Sequence, residues 1–298
     1  MRLLVTGTEG QVARSLLERA RERAGIEVLA VGRPDLDLAR PETIAPALAA
    51  ARPDIVVSAA AYTAVDQAED EPDVAHAVNA VGAGAVAGAA AAIGVPVIHL
   101  STDYVFDGAK AGAYVEDDPT APLGAYGRTK LEGEIAVADA NPRHVILRTA
   151  WVYSPFGKNF AKTMLRLAGE RDEIAVVADQ WGNPTSALDI ADAILHIAPA
   201  AAGASGDMFG VFHLAATGKT SWNGFARHLL GESAAAGGPS ARVRDISTAE
   251  FPTKARRPSN SCLNTDKLFH AYGWRAPRWE TSGTAVVKQL LGQAATIG

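Results

Sequence analysis

The sequence predicts an α/β fold, a doubly wound parallel sheet followed by a smaller mixed α/β unit. Two observations carry this expectation. Short apolar runs alternate with helix-period segments over residues 1–150, the pattern of a parallel sheet covered on both faces. The strands are also continuously apolar, as in Val95-Pro-Val-Ile-His-Leu100, which suits burial on both sides. Beyond Trp151 the alternation loosens, and the rest reads as a smaller unit.

Residues 2–6 read as a buried strand, 7–10 as a tight turn and 11–23 as a helix with Val12, Leu16, Leu17 and Ala20 on one face. A second strand follows at 26–31, a helix at 41–51 and a third strand at 54–58. The Ala-rich segment 73–93 predicts a long helix, 96–101 a fourth strand, 125–140 a helix and 145–149 another strand. Helices are then expected at 159–169, 189–197 and 222–231, and strands at 173–177 and 211–214. Small residues mark 200–206 as a linker or loop and 234–239 as a flexible connection. The domain expectation is a cofactor-binding unit over 1–150 and a discontinuous substrate unit over 151–298, with about 178–200 crossing back to the first.

A length of 298 residues agrees with about two domains. Hydrophobic residues make up 48% and charged residues 20%, which excludes a disordered chain. The charge, 28 − 33 = −5, argues against an extended nucleic-acid surface. One cysteine, Cys262, excludes an internal disulfide framework and a Cys-only metal site; it reads as a passive residue. No basic leader with an apolar core opens the chain. The apolar stretch 80–100 is broken by Gly82, Gly84, Gly88, Gly94 and Pro96, too interrupted to span a bilayer. The expectation is a cytoplasmic protein with neither nucleic-acid nor membrane partners.

Gly7-Thr8-Glu9-Gly10-Gln11-Val12-Ala13 lies between the first strand and its helix. Strand, glycine turn and helix N-terminus make an anion site, because free N–H groups and the helix dipole face a pyrophosphate. Ala13 stands where a third glycine is usual, a tolerated substitution. These features make the sheet Rossmann-type. At the end of the second strand Arg33 offers a guanidinium where an NAD-specific protein offers a carboxylate. That suits a 2′-phosphate, so NADPH is expected, with NADH as the alternative.

Tyr126-Gly-Arg-Thr-Lys130 is Y-x-x-x-K, and on a helix its ends share a face. An ammonium beside a phenol lowers the phenol pKa, making Tyr126 a proton donor to an alkoxide. Thr102 follows the fourth strand, at the carboxyl edge where open α/β sheets bind ligands, and can hold a substrate carbonyl or Tyr126. Ser101 competes for that role but is expected to point into the sheet.

The glycine turn, Thr102 and Y-x-x-x-K together resemble the extended short-chain dehydrogenases/reductases. Longer strings narrow the likeness: Ala59-Ala-Ala-Tyr-Thr-Ala-Val-Asp66, Ser101-Thr-Asp-Tyr-Val-Phe-Asp107, Arg148-Thr-Ala-Trp-Val-Tyr153, Asn183-Pro-Thr185 and Arg256-Arg-Pro-Ser-Asn-Ser261. They resemble the dTDP-4-dehydrorhamnose reductase family over residue 1 to about 270. The resemblance implies NADPH-dependent reduction of the 4-keto group of dTDP-4-dehydro-L-rhamnose, in dTDP-rhamnose biosynthesis. It implies Thr102, Tyr126 and Lys130 as the catalytic triad. Gly7, Gly10, Gln11 and Val12 would serve the pyrophosphate, Asp37 and Leu38 the adenine side. Ala61, Tyr62 and Thr63 would line the cofactor ribose, and Lys130 would hold the nicotinamide ribose. Asp103, Trp151 and Arg257 would join Thr102 and Tyr126 at the substrate, with Arg256 a second cation for the diphosphate. Asn79 is expected to bridge backbone rather than touch substrate. Some members bind Mg²⁺ through glutamates at a dimer interface; the matching positions here are Ser15 and Leu188, so no metal is expected. Monomer and homodimer both stay open. Rival readings are a reductase of a related dTDP-4-keto-6-deoxysugar, or a non-catalytic NADP-binding regulatory subunit of the same fold. Asp103 is followed by Tyr104 rather than a second carboxylate, which argues against a dehydratase.

Overall fold

Residues 1–203 and 208–297 are described by a computed structural model, with side chains described through residue 292. In chain order the elements are β1 (Arg2–Thr6), α1 (Gln11–Ala20), β2 (Glu27–Val31), α2 (Ile44–Ala51), β3 (Ile55–Ser58) and α3 (Pro72–His76). A π-helical segment, Ala77–Gly82, joins α3 to α4 (Ala83–Ala92). Next come β4 (Val97–Thr102), α5 (Ala125–Ala140), β5 (His144–Thr149), β6 (Val152–Tyr153) and α6 (Phe160–Ala168). The remainder holds β7 (Glu173–Val177), β8 (Trp181–Gly182), β9 (Thr185–Ser186), α7 (Ala187–Gly203), β10 (Gly210–His213), β11 (Thr220–Ser221), α8 (Trp222–Ala235), β12 (Arg242–Ile246), α9 (Asp266–Tyr272) and α10 (Trp279–Ile297).

Six strands pair in the order β10-β5-β4-β3-β1-β2, all parallel. Successive residues of each strand face opposite sides, and both sides are apolar. Leu3, Val5, Ile55, Val57, Ile98 and Leu100 enter one core with α1 and α7. Leu4, Val56 and Val97 enter the other with α2 and α4. That double burial is why these strands are apolar without alternation. The order reverses between β1 and β3, the place where such sheets open a crevice at their carboxyl ends.

Several sequence expectations change. The strand expected at 211–214 does not belong to the small unit: as β10 it forms an edge of the large sheet, beside β5. The segment expected to return at about 178–200 overlaps α7, which packs on the α1 side of the sheet, and β10 extends the return beyond it. Residues 200–203 of the expected linker are the end of α7, because Ala198 and Ala201 are buried and helix-favouring. Residues 204–206 of that linker lie outside the described residues. The connection at 234–239 is tied down: α8 reaches Ala235, the Gly238 N–H bonds the Ser233 carbonyl at 2.8 Å, and the Ser233 hydroxyl bonds the Pro239 carbonyl at 2.6 Å. Elsewhere β7 pairs with β12 under α6 and α8, and α10 packs on α8.

The helical run Pro72–Ala92 is long and apolar enough to cross a membrane by length and composition. Its apolar residues have a nearer use, since Ala83, Val86, Ala87 and Ala90 pack under the sheet. Its backbone also meets α5 at glycine. A Cβ on Gly133 would run into the Asn79 carbonyl oxygen, and one on Gly127 into the Tyr104 carbonyl oxygen. Gly133→Ala is therefore expected to lower unfolding stability by roughly 1–3 kcal/mol through overpacking. Denaturant unfolding at a wild-type midpoint would contradict this close approach.

Candidate active site

The β1–α1 turn fits an anion. Gly7 has φ +87°, a conformation that favours glycine, and its N–H bonds the Val31 carbonyl at 2.7 Å. A Cβ there would touch the Ala60 Cβ at 3.4 Å. Gly10 caps α1 in an extended conformation and has no side chain to take the first N–H groups of α1. A Cβ on Gly10 would meet nothing within 4 Å, which leaves space before those donors. This geometry fits a dinucleotide pyrophosphate.

The Gln11 side chain turns away to accept from the Ser154 hydroxyl (2.8 Å) and Asn159 (3.0 Å), tying α1 to later chain. Val12 is buried beneath the turn. Arg33 is exposed after β2, free to meet a phosphate. Asp37 accepts from the Ala39 N–H, and Leu38 is buried against Gly82. Ala61, Tyr62 and Thr63 follow β3; Asn79 clamps the Tyr62 backbone in both directions, at 2.8 and 3.1 Å. All of these come off the carboxyl ends of β1, β2 and β3, so the topology gathers them at one edge.

Thr102 ends β4 at the same edge, and Tyr126 and Lys130 lie one turn apart on α5. The Thr102 hydroxyl donates to Asp103 at 3.0 Å and accepts from the Tyr104 N–H at 3.2 Å. One expectation fails here. Lys130 was to lower the Tyr126 pKa, yet burial raises it well above the ordinary phenol value, and the neighbouring Thr102 hydroxyl only partly opposes that. The Lys130 ammonium instead bonds the Leu100 carbonyl at 2.6 Å and lies 3.2 Å from His99 Nε2. Burial lowers its own pKa to about 8, against the pull of Glu134. A buried ammonium seeks the nearest acceptors, and the β4 backbone supplies one.

Sequence reasoning missed the support beneath this pair. Glu134, one turn after Lys130, forms a buried ion pair with Arg148 of β5 at 2.8 Å and accepts from the Ser101 hydroxyl. The guanidinium also lies 5.1 Å from the Phe106 ring centre. Ser101, expected to point into the sheet, instead turns its hydroxyl to Glu134 on α5, buried between helix and sheet. The signal was present: Tyr126, Lys130 and Glu134 repeat every four residues, and Arg148 interrupts an apolar strand. Asn79 adds a bond to the Thr129 hydroxyl at 3.2 Å.

Among the residues expected at the substrate, Asp103 is 2% exposed with Oδ2 lacking a hydrogen bond, and burial raises its pKa to about 6. Trp151 has φ +49°, a strained conformation for a bulky residue. Its ring stacks on Trp222, centres 3.6 Å apart, so that face is closed to a sugar. Arg257 is ion-paired with Asp66 at 2.8 Å and also donates to the Tyr104 hydroxyl. Arg256 is exposed. Cys262 is buried, and burial raises its thiol pKa. Ser15 is buried and donates to the Gln11 carbonyl, while Leu188 joins an apolar cluster.

Removing one partner of a buried pair strands the other charge, so Glu134→Ala is expected to cost roughly 3–5 kcal/mol. Pairing it with Arg148→Met should restore most of that loss in urea unfolding; strict additivity of the two changes would refute the coupling.

A family model described as RmlD substrate binding domain matches residues 1–291. The chain is 54% identical over 292 residues to a dTDP-4-dehydrorhamnose reductase of Sinorhizobium fredii, covering 98% of each. It is 42% identical over 300 residues to the Escherichia coli K12 protein of that name, covering 99% of each. The crystal structure of a dTDP-4-dehydrorhamnose reductase from Clostridium acetobutylicum superposes with TM-score 0.90 at 35% identity, covering 98% of this chain and 100% of that one. One from Bacillus anthracis, in complex with NADP, gives 0.89 at 34% identity, covering 97% and 99%. The chain belongs to the dTDP-4-dehydrorhamnose reductase family, oxidoreductases of the extended short-chain dehydrogenase/reductase superfamily.

Proposed function

We propose that the protein reduces the 4-keto group of dTDP-4-dehydro-L-rhamnose to dTDP-L-rhamnose with NADPH. The observation that carries this reading is the meeting of Thr102, Tyr126 and Lys130 with the uncapped glycine turn at one sheet edge. Relatives bearing the reductase name support the substrate, and the NADP complex of the Bacillus anthracis relative supports the cofactor.

The α1 N–H groups hold the pyrophosphate, Arg33 the 2′-phosphate, and Lys130 the nicotinamide ribose. Asp37 and Leu38 flank the adenine side, and Ala61, Tyr62 and Thr63 follow the ribose. NADPH, when bound, supplies the hydride that reaches C4. Thr102 orients the carbonyl oxygen, and Tyr126 gives that oxygen its phenolic proton. A raised phenol pKa keeps Tyr126 protonated until the oxygen becomes basic enough to take the proton. Asp103 offers its unpaired oxygen to a sugar hydroxyl, Trp151 borders the sugar, and Arg257 turns from Asp66 toward the diphosphate. Residues 1–150, with α7 and β10, form the cofactor unit; the rest of 151–298 forms the substrate unit.

Tyr126→Phe is expected to bind NADPH as wild type and to lose roughly 10²–10⁴-fold in turnover. Full turnover in that variant would remove Tyr126 from the chemistry. Arg33→Ala should raise the KM for NADPH about tenfold or more and leave that for NADH unchanged, since it loses a charged phosphate contact. Product analysis with NADPH and the dTDP-ketosugar tests the whole reading. A different product sugar points to a related ketosugar reductase. Tight NADPH binding without turnover points to a regulatory subunit.

A further inference from the structure

An ammonium has three N–H donors and no acceptor. Lys130 directs two of its three donors inward, one to the Leu100 carbonyl at 2.6 Å and one to His99 Nε2 at 3.2 Å. His99 lies on β4, is 1% exposed, and pairs in register with Ser58 of β3. Its other ring nitrogen, Nδ1, is 3.1 Å from the Ser58 hydroxyl. Because Lys130 can only donate, Nε2 must be the acceptor, and the ring proton must sit on Nδ1 with Ser58 receiving it. The partners assign this tautomer.

We propose that His99 is a positioning residue for Lys130, its neutral Nδ1–H imidazole, set by Ser58, holding the ammonium through Nε2 so that one N–H remains for the cofactor ribose. The proposal rests on Lys130 serving as the catalytic lysine.

Burial, and secondarily the Lys130 charge, holds the His99 pKa well below its ordinary value, so the ring stays an acceptor. The surroundings leave this task to few groups. From α5, Glu134 favours the ammonium and Tyr126 precedes it by one turn. From β5, Arg148 is already paired with Glu134. β3 offers the Ser58 hydroxyl, and neither α4 nor the π-helical segment carries an ionisable side chain. With Lys130 already lowered to about 8, losing an acceptor moves its deprotonation into the working range. The alkaline limb of the rate profile should then fall at lower pH.

The test has two arms. Nitrogen NMR of histidine-labelled wild-type protein near neutral pH should find His99 as the neutral Nδ1–H tautomer. In kinetics, His99→Leu should shift the alkaline limb of kcat to lower pH and reduce kcat roughly 10- to 100-fold, as loss of a hydrogen bond to a charged group implies. His99→Gln, whose amide oxygen can stand in for Nε2, should return the limb toward wild type. A ring protonated at Nε2, or a His99→Leu profile superposing on wild type, overturns the proposal. The NMR arm needs no variant to fold. Absence of ketosugar turnover by wild type would overturn the functional reading instead and leave the tautomer readable.

Discussion

The edge proposed to be catalytic depends on how closely α5 can lie against its neighbours. Side chains at positions 127 and 133 would hold it off the Tyr104 and Asn79 backbones, and glycine at both removes that obstacle. Once α5 is seated, Tyr126 comes beside Thr102, Lys130 reaches the β4 backbone, and Glu134 reaches Arg148. The ion pair and the Ser101 bond then lock the helix to β4 and β5. A helix held by buried, directional bonds keeps its rotation, which apolar packing alone specifies less sharply. The π-helical segment serves the same end, turning Asn79 so that one amide grips both the Tyr62 backbone and the Thr129 hydroxyl.

Burial governs protonation throughout this edge. Tyr126 and Asp103 are pushed up and Lys130 down, each toward its neutral form. An intrinsically acidic phenol is therefore not the device on view. What the fold supplies is a poorly solvated place where a proton donor, a hydroxyl and an ammonium stand close together. In such a place a charge that develops during reaction interacts strongly with fixed dipoles. The free N–H groups of α1 add positive potential at the same edge, in a chain whose net charge is −5.

The later chain closes over this edge by polar ties rather than by a second large sheet. Asp66 and Asp70, in the segment after β3, pair with Arg257 and Lys254. Asp66 also accepts from the Ala255 N–H at 3.0 Å, and Asn183 accepts from the Leu263 N–H at 2.9 Å. Strings far apart in sequence, around residues 60, 105, 183 and 257, meet there. The short strands of this part are two to five residues long, so side-chain bonds carry much of its definition.

Local chemistry made much of the protein readable in one dimension. Strand apolarity, the glycine turn after β1 and the four-residue spacing of Tyr126 and Lys130 each reflect near neighbours, and they determined the sheet, the open turn before α1 and the shared helix face. Three matters waited for tertiary structure. The direction of the Lys130 ammonium depends on acceptors at Leu100 and His99, thirty residues away. The place of β10 depends on which strand edge stands open beside β5, and periodicity carries no record of that. Trp151 shares its ring with Trp222, seventy-one positions later, so its role as a wall is set by a stack no local pattern contains. Hydrophobic period decides which residues turn inward; only the assembled fold decides which partners a buried polar group finds there.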